Sequence, residues 1–140
     1  MDGFSTFFIA KNLGIPRTRL QQWLDRGFVT PSKGQADGPG TKNRFSRNDL
    51  YCLELFQRLV LCGLSRKAAG EYSVVEFEKV SRDGLRFLWV SRKIFNDPLY
   101  SIHVTTKITR DPPTLLFDGD TLVMVVNLLA VKEKVDRKLV

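Results

Sequence analysis

Hydrophobic positions along the first sixty-five residues recur at helical spacing, in short runs punctuated by glycine and proline. Ser5-Thr6 ahead of Phe7, Phe8, Ile9 and Ala10 predicts a capped short helix, and Gly14 ends it because glycine adopts positive φ at little cost. Ile15-Pro16 restarts the chain, since proline has a helix-compatible φ but no N–H and suits only the first turn of a new helix. That second helix runs from Arg17 through Leu24, and Gly27 closes it. Leu20, Trp23 and Leu24 stand at i, i+3 and i+4 and make one apolar face. Two short helices around a glycine turn form a helix-turn-helix pattern.

After Phe28-Val29-Thr30-Pro31, the stretch from Ser32 to Asn43 is polar and holds Gly34, Gly38, Pro39 and Gly40. It reads as a long hairpin loop whose return strand is Asn43-Arg44-Phe45. Ser46 then caps a third helix, with Asp49 at capping-box spacing. Leu50, Leu53, Phe56 (or Leu55), Leu59 and Val60 form its buried stripe, and Gly63-Leu64 stops it. Ser65 opens a fourth helix reaching about Arg82, which Gly84 terminates.

Beyond residue 84 the period falls to two. Leu85, Phe87 and Trp89 alternate with Arg86, Leu88 and Val90, and Tyr100, Ile102, Val104, Thr106 and Ile108 alternate with Ser101, His103, Thr105 and Lys107. With turn chemistry at Asn96-Asp97-Pro98, this predicts an antiparallel hairpin with one wet face. Asp111-Pro112-Pro113 breaks the chain, Thr114 to Phe117 suits a third strand, and Asp118-Gly119-Asp120 a turn. From Thr121 to Leu139 two patterns compete. Leu122, Val125, Val126 and Leu129 fit a helix face, Val-Met-Val-Val is rich in β-formers, and the charged ending from Lys132 to Lys138 favours a final helix. The expected class is α+β, with a helical domain over residues 1–84 and a small antiparallel β module plus C-terminal helix over 85–140.

Composition narrows the partners. The 140 residues are 43% hydrophobic and 26% charged, which suits a packed soluble domain. The net charge is +7, and residues 1–72 carry eleven Lys and Arg against six Asp and Glu, a net of +5. Such a balance favours polyanionic partners, and it concentrates where the helix-turn-helix pattern lies. No apolar run approaches the roughly 18 residues of a membrane span, and MDGFSTFF lacks a signal peptide's basic and apolar regions, so a cytoplasmic protein with no membrane partner is expected. Cys52 and Cys62 fall in one predicted helix about 15 Å apart, beyond a disulfide's reach, and read as two buried thiols. Their only potential histidine partner is His103, which reads as solvated on the polar strand face. Asp111, Asp118 and Asp120 read as turn residues rather than a cation site. Zinc spacing, a phosphate-binding glycine loop and a nucleophile elbow are all missing, so neither an enzyme, a cofactor nor a metal is expected. Trp89, Phe95 and Tyr100 read as core aromatics more readily than as the lining of a ligand pocket.

The candidate chemistry lies in the second helix and the loop after it. A helix in the major groove reads base edges best through long polar side chains near its N-terminus, and this one, spanning about 16–26, offers Arg17, Thr18, Arg19, Gln21 and Gln22. Arg pairs bidentately with guanine, Gln with adenine, and the helix N-terminus offers N–H groups to phosphate. The glycine-rich loop, about 32–45 and edged by Lys33, Lys42, Arg44 and Arg47, suits a wing reaching the DNA backbone or minor groove.

From about Ser5 to Ser65 the chain resembles the N-terminal domain of MerR-type regulators. The resemblance is carried by Ile9-Ala10, Gly14-Ile15, Arg19-Leu20, Trp23, Gly27-Phe28-Val29, Pro31, Arg44-Phe45-Ser46, Asp49-Leu50 and Gly63-Leu64-Ser65, in order and at the right spacing. It implies a winged helix-turn-helix, sequence-selective binding of double-stranded DNA, transcription regulation, and a homodimer on an inverted repeat. It further implies that Arg17 and Arg19 face DNA, that Trp23 is core, and that Arg44 meets a phosphate. The chain departs from the family pattern where Gln21 replaces a basic residue, where Leu24 occupies the place of an acidic one, and in its long wing. It also lacks the long dimerisation coiled coil, so residues 85–140 read as a small module for dimerisation or partner contact. No small-molecule effector is named by the sequence. A non-regulatory DNA-binding protein, excisionase-like or of a phage-packaging assembly, is the alternative, and a pure interaction module would show no salt-dependent DNA binding.

Overall fold

The computed structural model describes residues 3–34, 42–94, 102–111 and 121–139. The chain divides into two compact units, one formed by Met1–Phe77 with Val131–Val140 and the other by Glu78–Ala130. The mixture of helices and one small antiparallel sheet is an α+β fold.

In the first unit the local signals behave as the residues dictate. Ser5 caps α1 (Thr6–Leu13) by accepting the Phe8 N–H, and Gly14 at φ 71° ends it. After Pro16, α2 (Arg17–Asp25) buries Leu20 and Trp23, with Leu24 half-buried. Ser46 and Asp49 form a complete capping box at the start of α3 (Arg47–Leu61). This helix is the centre of the unit, burying Leu50, Leu53, Leu55, Phe56 and Leu59. Gly63, at φ 105°, turns the chain so that Leu64 enters the core, and Ser65 caps α4 (Arg66–Tyr72).

That turn also separates the two thiols. Cys62 caps the end of α3 and is exposed, contrary to the expectation of two buried cysteines, because Leu64 takes the core position that follows Leu59. Cys52 is half-buried, donates its S–H to the Val75 carbonyl, and has its pKa pushed up to about 11 by burial.

The expected fourth helix, Ser65 to Arg82, is two helices, α4 and α5 (Phe77–Arg82). Side-chain hydrogen bonds from α3 take over the backbone between them. Asn48 Nδ2 donates to the Val75 carbonyl at 2.8 Å, and the Phe77 N–H donates to Asn48 Oδ1 at 2.9 Å. Val75 and Phe77 are thereby turned inward, and the Phe77 ring lies 5.2 Å from that of Tyr51.

The second unit holds β1 (Phe87–Ile94), β2 (Ile102–Thr109) and β3 (Thr121–Asn127) in the order β2-β1-β3, with both pairings antiparallel. Leu88 faces Ile108 and Val126 across the sheet, and Leu88, Val90 and Val126 are buried. The opposite face carries Trp89, Lys107 and Val125, so one face is wet, as the period of two requires. Trp89 is half-buried rather than a core aromatic. Its Nε1–H donates to Thr109 Oγ1 at 2.7 Å and the Lys107 ammonium lies 4.7 Å from its ring centre.

The final segment is neither all helix nor all strand. The β-branched run pairs with β1 as β3, and Asn127 then caps α6 (Leu128–Lys138) by accepting the Ala130 N–H. The expected turns at Asn96-Asp97-Pro98 and Asp118-Gly119-Asp120, the strand Thr114–Phe117, and Phe95, Tyr100 and Pro112-Pro113 lie outside the described residues, as does the His103 side chain.

The division of the chain also departs from 1–84 and 85–140, because the end of α6 belongs to the first unit. Val131 and Val135 are fully buried. Lys134 Nζ lies 2.7 Å from the buried carboxylate of Glu54, which also meets Arg58 Nε at 3.3 Å. Asp136 accepts from Tyr51 and pairs with Arg47 at 3.4 Å and Lys132 at 3.1 Å. Desolvation opposes its ionisation, but the hydrogen bonds from Tyr51 and Lys132 and the neighbouring cations hold the carboxyl below its usual range. Burial and this same carboxylate push the Tyr51 hydroxyl upward. The first unit is thus closed by α3 against the chain segments that precede and follow residues 78–130 in sequence, through Asn48 and Tyr51 on the outgoing one and Tyr51 and Glu54 on the returning one.

Candidate nucleic-acid interface

α2 owes its direction to the turn before it. Gly14 takes the left-handed conformation, Ile15 is buried as the anchor of the turn, and Pro16 starts the helix at φ −55° without a side-chain cap. The early N–H groups of a helix lack intrahelical acceptors, so this end presents donors and a positive dipole. At about 100° per residue, Leu20 and Trp23 define the inward side and Thr18, Gln21, Gln22 and Asp25 the opposite one, with Arg17 and Arg19 on its two flanks. Arg17, Thr18, Arg19, Gln21 and Gln22 are all exposed. The five side chains expected on this helix are therefore brought together on its solvent face. Gln21 is further constrained, for its Nε2 donates to Asp25 Oδ1 at 2.8 Å.

The hairpin begins at Pro31, which is buried, and its two arms meet through the Gly34–Arg44 bridge. The Lys33 N–H donates to the Arg44 carbonyl at 3.1 Å and the Arg44 N–H to the Gly34 carbonyl at 2.8 Å. Phe45 is buried, and its backbone pairs in both directions with Phe4. Lys33 and Lys42 are exposed and Arg44 half-buried, and residues 35–41 lie outside the described ones.

A connection that local sequence does not signal fixes this base. The Ser32 N–H and hydroxyl both donate to Asp49 Oδ2, at 2.8 and 2.7 Å, and the hydroxyl also lies 3.1 Å from Ser46 Oγ. One carboxylate thus caps α3 and pins the outgoing arm of the hairpin. The capping-box spacing reveals the first role, but Ser32 is seventeen residues away and nothing near it marks the second. Arg47 stands apart from the other expected residues. It is exposed, yet its guanidinium pairs with Asp136 of α6.

The first unit thus carries a polar, cation-flanked helix face and a basic-edged hairpin, each anchored by buried residues, Leu20 and Trp23 for the helix and Pro31 and Phe45 for the hairpin. It can supply hydrogen bonds to base edges from α2 and charge to phosphates from both elements. Among the described residues no helix is long and apolar enough to cross a membrane. The chain matches no curated protein. Residues 9–73, which run from α1 to the end of α4, match the MerR HTH family regulatory protein family. That family is one of DNA-binding regulators and not of enzymes. Over residues 9–73, just under half of its length, the chain is therefore similar to the helix-turn-helix regulators of the MerR family.

Proposed function

We propose that this protein is a sequence-specific, double-stranded-DNA-binding transcription regulator whose reading head is a MerR-type winged helix-turn-helix. In this reading α2, with its flanking turns over about 16–26, enters the major groove. The hairpin over about 32–45 is the wing, laid on the backbone or minor groove. Arg17, Thr18, Arg19, Gln21 and Gln22 reach base edges and nearby phosphates, while Lys33, Lys42, Arg44 and Arg47 supply charge to the backbone. The carrying observation is that α2 buries Leu20 and Trp23 while all five polar candidates stay exposed together. The protein works in the cytoplasm as a homodimer on an inverted repeat, with the three-stranded sheet unit serving dimer or partner contact.

The test is a binding selection against fragmented genomic DNA at roughly physiological salt. Enrichment of a short inverted repeat is expected. Uniform, salt-sensitive retention of every fragment would defeat the regulator reading in favour of an architectural role.

On the selected site, Arg19→Ala is expected to cost about 1–3 kcal/mol and to relax preference at one base pair, as loss of a bidentate guanine contact does. An equal loss on every sequence would move Arg19 to the phosphates. Arg44→Ala is expected to weaken all sequences alike and to make the slope of log affinity against log salt shallower by about one unit. An unchanged slope removes Arg44 from the backbone contacts.

A further inference from the structure

We propose that Asp25 is a specificity-determining positioning residue, one that holds the Gln21 amide in the single orientation suited to an adenine edge. The inference rests on the reading of α2 as the helix in the major groove.

The starting observation is the 2.8 Å hydrogen bond from Gln21 Nε2 to Asp25 Oδ1, with both residues exposed. They stand one helical turn apart on the side of α2 opposite the buried Leu20 and Trp23. A glutamine amide can rotate by half a turn about its last bond, exchanging its acceptor and its donors. An ionised carboxylate only accepts hydrogen bonds, so it selects the rotamer that points nitrogen toward it and repels the one that points oxygen. One of the two Nε2 hydrogens is then used, and Oε1 with the remaining N–H stays available. Adenine presents an N6 donor beside an N7 acceptor in the major groove, which this oxygen and N–H complement. Without the carboxylate, the amide presents its donor and acceptor in either order.

The position of Asp25 supplies the second reason. It is the last residue of α2, where the carbonyl end of the helix dipole disfavours negative charge, and the last turn holds no basic residue to offset it. It also brings a negative charge to the face that would meet phosphates. Beyond the small helix stabilisation of its i,i+4 hydrogen bond to Gln21, a carboxylate at this place opposes the helix dipole and nonspecific DNA binding, so its main contribution lies in what it does to Gln21.

The experiment measures base preference at each position of the selected site for the full-length protein and for Gln21→Ala, Asp25→Ala, Asp25→Asn and the double alanine variant. Gln21→Ala is expected to lower preference for adenine at one position by about five-fold or more. Asp25→Ala is expected to flatten the same position, and the double variant no further than Gln21→Ala alone. Asp25→Asn, whose amide can either accept from Gln21 Nε2 or donate to Gln21 Oε1, is expected to lose the orientation and flatten the same position, while binding every sequence more tightly at low salt. Thermal unfolding of Asp25→Ala at or above the parent's midpoint is expected to separate these effects from folding. Two results would overturn the proposal: an intact adenine preference in Asp25→Ala, or flattening at a position that Gln21→Ala leaves alone. If the unmodified protein shows no base preference anywhere, it is the placement of α2 in the groove that fails, and the role of Asp25 falls with it.

Discussion

Replacing Trp23 with alanine is expected to lower the unfolding free energy of the first unit by about 3–5 kcal/mol, the range for emptying a large aromatic site in a core. Trp23 is only 5% exposed, and its ring meets Phe56 of α3 edge-on at 4.8 Å between centroids. Aromatic pairs in this geometry add to the burial itself. Helix α2 has nine residues and depends on packing, because isolated helices of that length do not persist in water. The exposed neighbour Gln22→Ala serves as the control, with an expected change within about 0.5 kcal/mol. Urea unfolding followed by circular dichroism checks both. A Trp23→Ala protein with the parent's midpoint would mean that the faces of α2 are reversed, and with them the surface assigned to DNA.

Ending the chain after Ala130 is expected to cost about as much, although every residue of the helix-turn-helix remains. Val131 and Val135 are completely buried, and removing two such side chains forfeits about 1.5–3 kcal/mol each. Lys134 is lost from a Glu54 carboxylate that is 5% exposed, leaving Arg58 as its remaining charge partner. A buried charge stripped of part of its compensation is destabilising in its own right. The two valines alone account for about 3–6 kcal/mol, read as a lower urea midpoint. Full recovery by adding residues 131–140 as a separate peptide would show that the helix end acts as a packing element and not through chain connectivity. If the shortened protein unfolds at the parent's midpoint, α6 lies on the unit without supporting it.

These two cases mark how far the sequence carries the structure. Where one helical turn or one strand decides the outcome, the residues say so. Ser5, Ser46 and Ser65 cap the helices that they precede, Gly14 and Gly63 end helices with positive φ, and the faces of α2 follow from Leu20 and Trp23. The pairing of β1 with β2 follows from two alternating segments separated by turn residues. Where a distant side chain decides, the sequence is silent. Ser73-Val74-Val75-Glu76 contains no glycine or proline, and the break between α4 and α5 is made by Asn48, 27 residues before Val75. The run Thr121–Asn127 is compatible with both patterns until β1 is there to pair with it. The return of α6 rests on contacts such as Tyr51 to Asp136, 85 residues apart, which no local pattern announces. The candidate site divides in the same way. The polar face of α2 is visible in the order of residues, whereas the Ser32–Asp49 clamp and the engagement of Arg47 by Asp136 are not.

The insertion of residues 78–130 has a consequence for synthesis. Chains leave the ribosome N-terminus first, and domains ordinarily complete themselves in that order. Here the earlier unit needs Val131 and Val135 for its core, so it cannot close until the inserted sheet has already emerged. At about 5–20 residues per second the wait is roughly 3–10 s, during which the face of α3 around Tyr51 and Glu54 lacks its cover. A nascent chain that stops short of Val131 carries all of α2 but not the finished core of its unit. Under the proposed function, competence to bind DNA then arrives only once Val131 and Val135 have been made and packed.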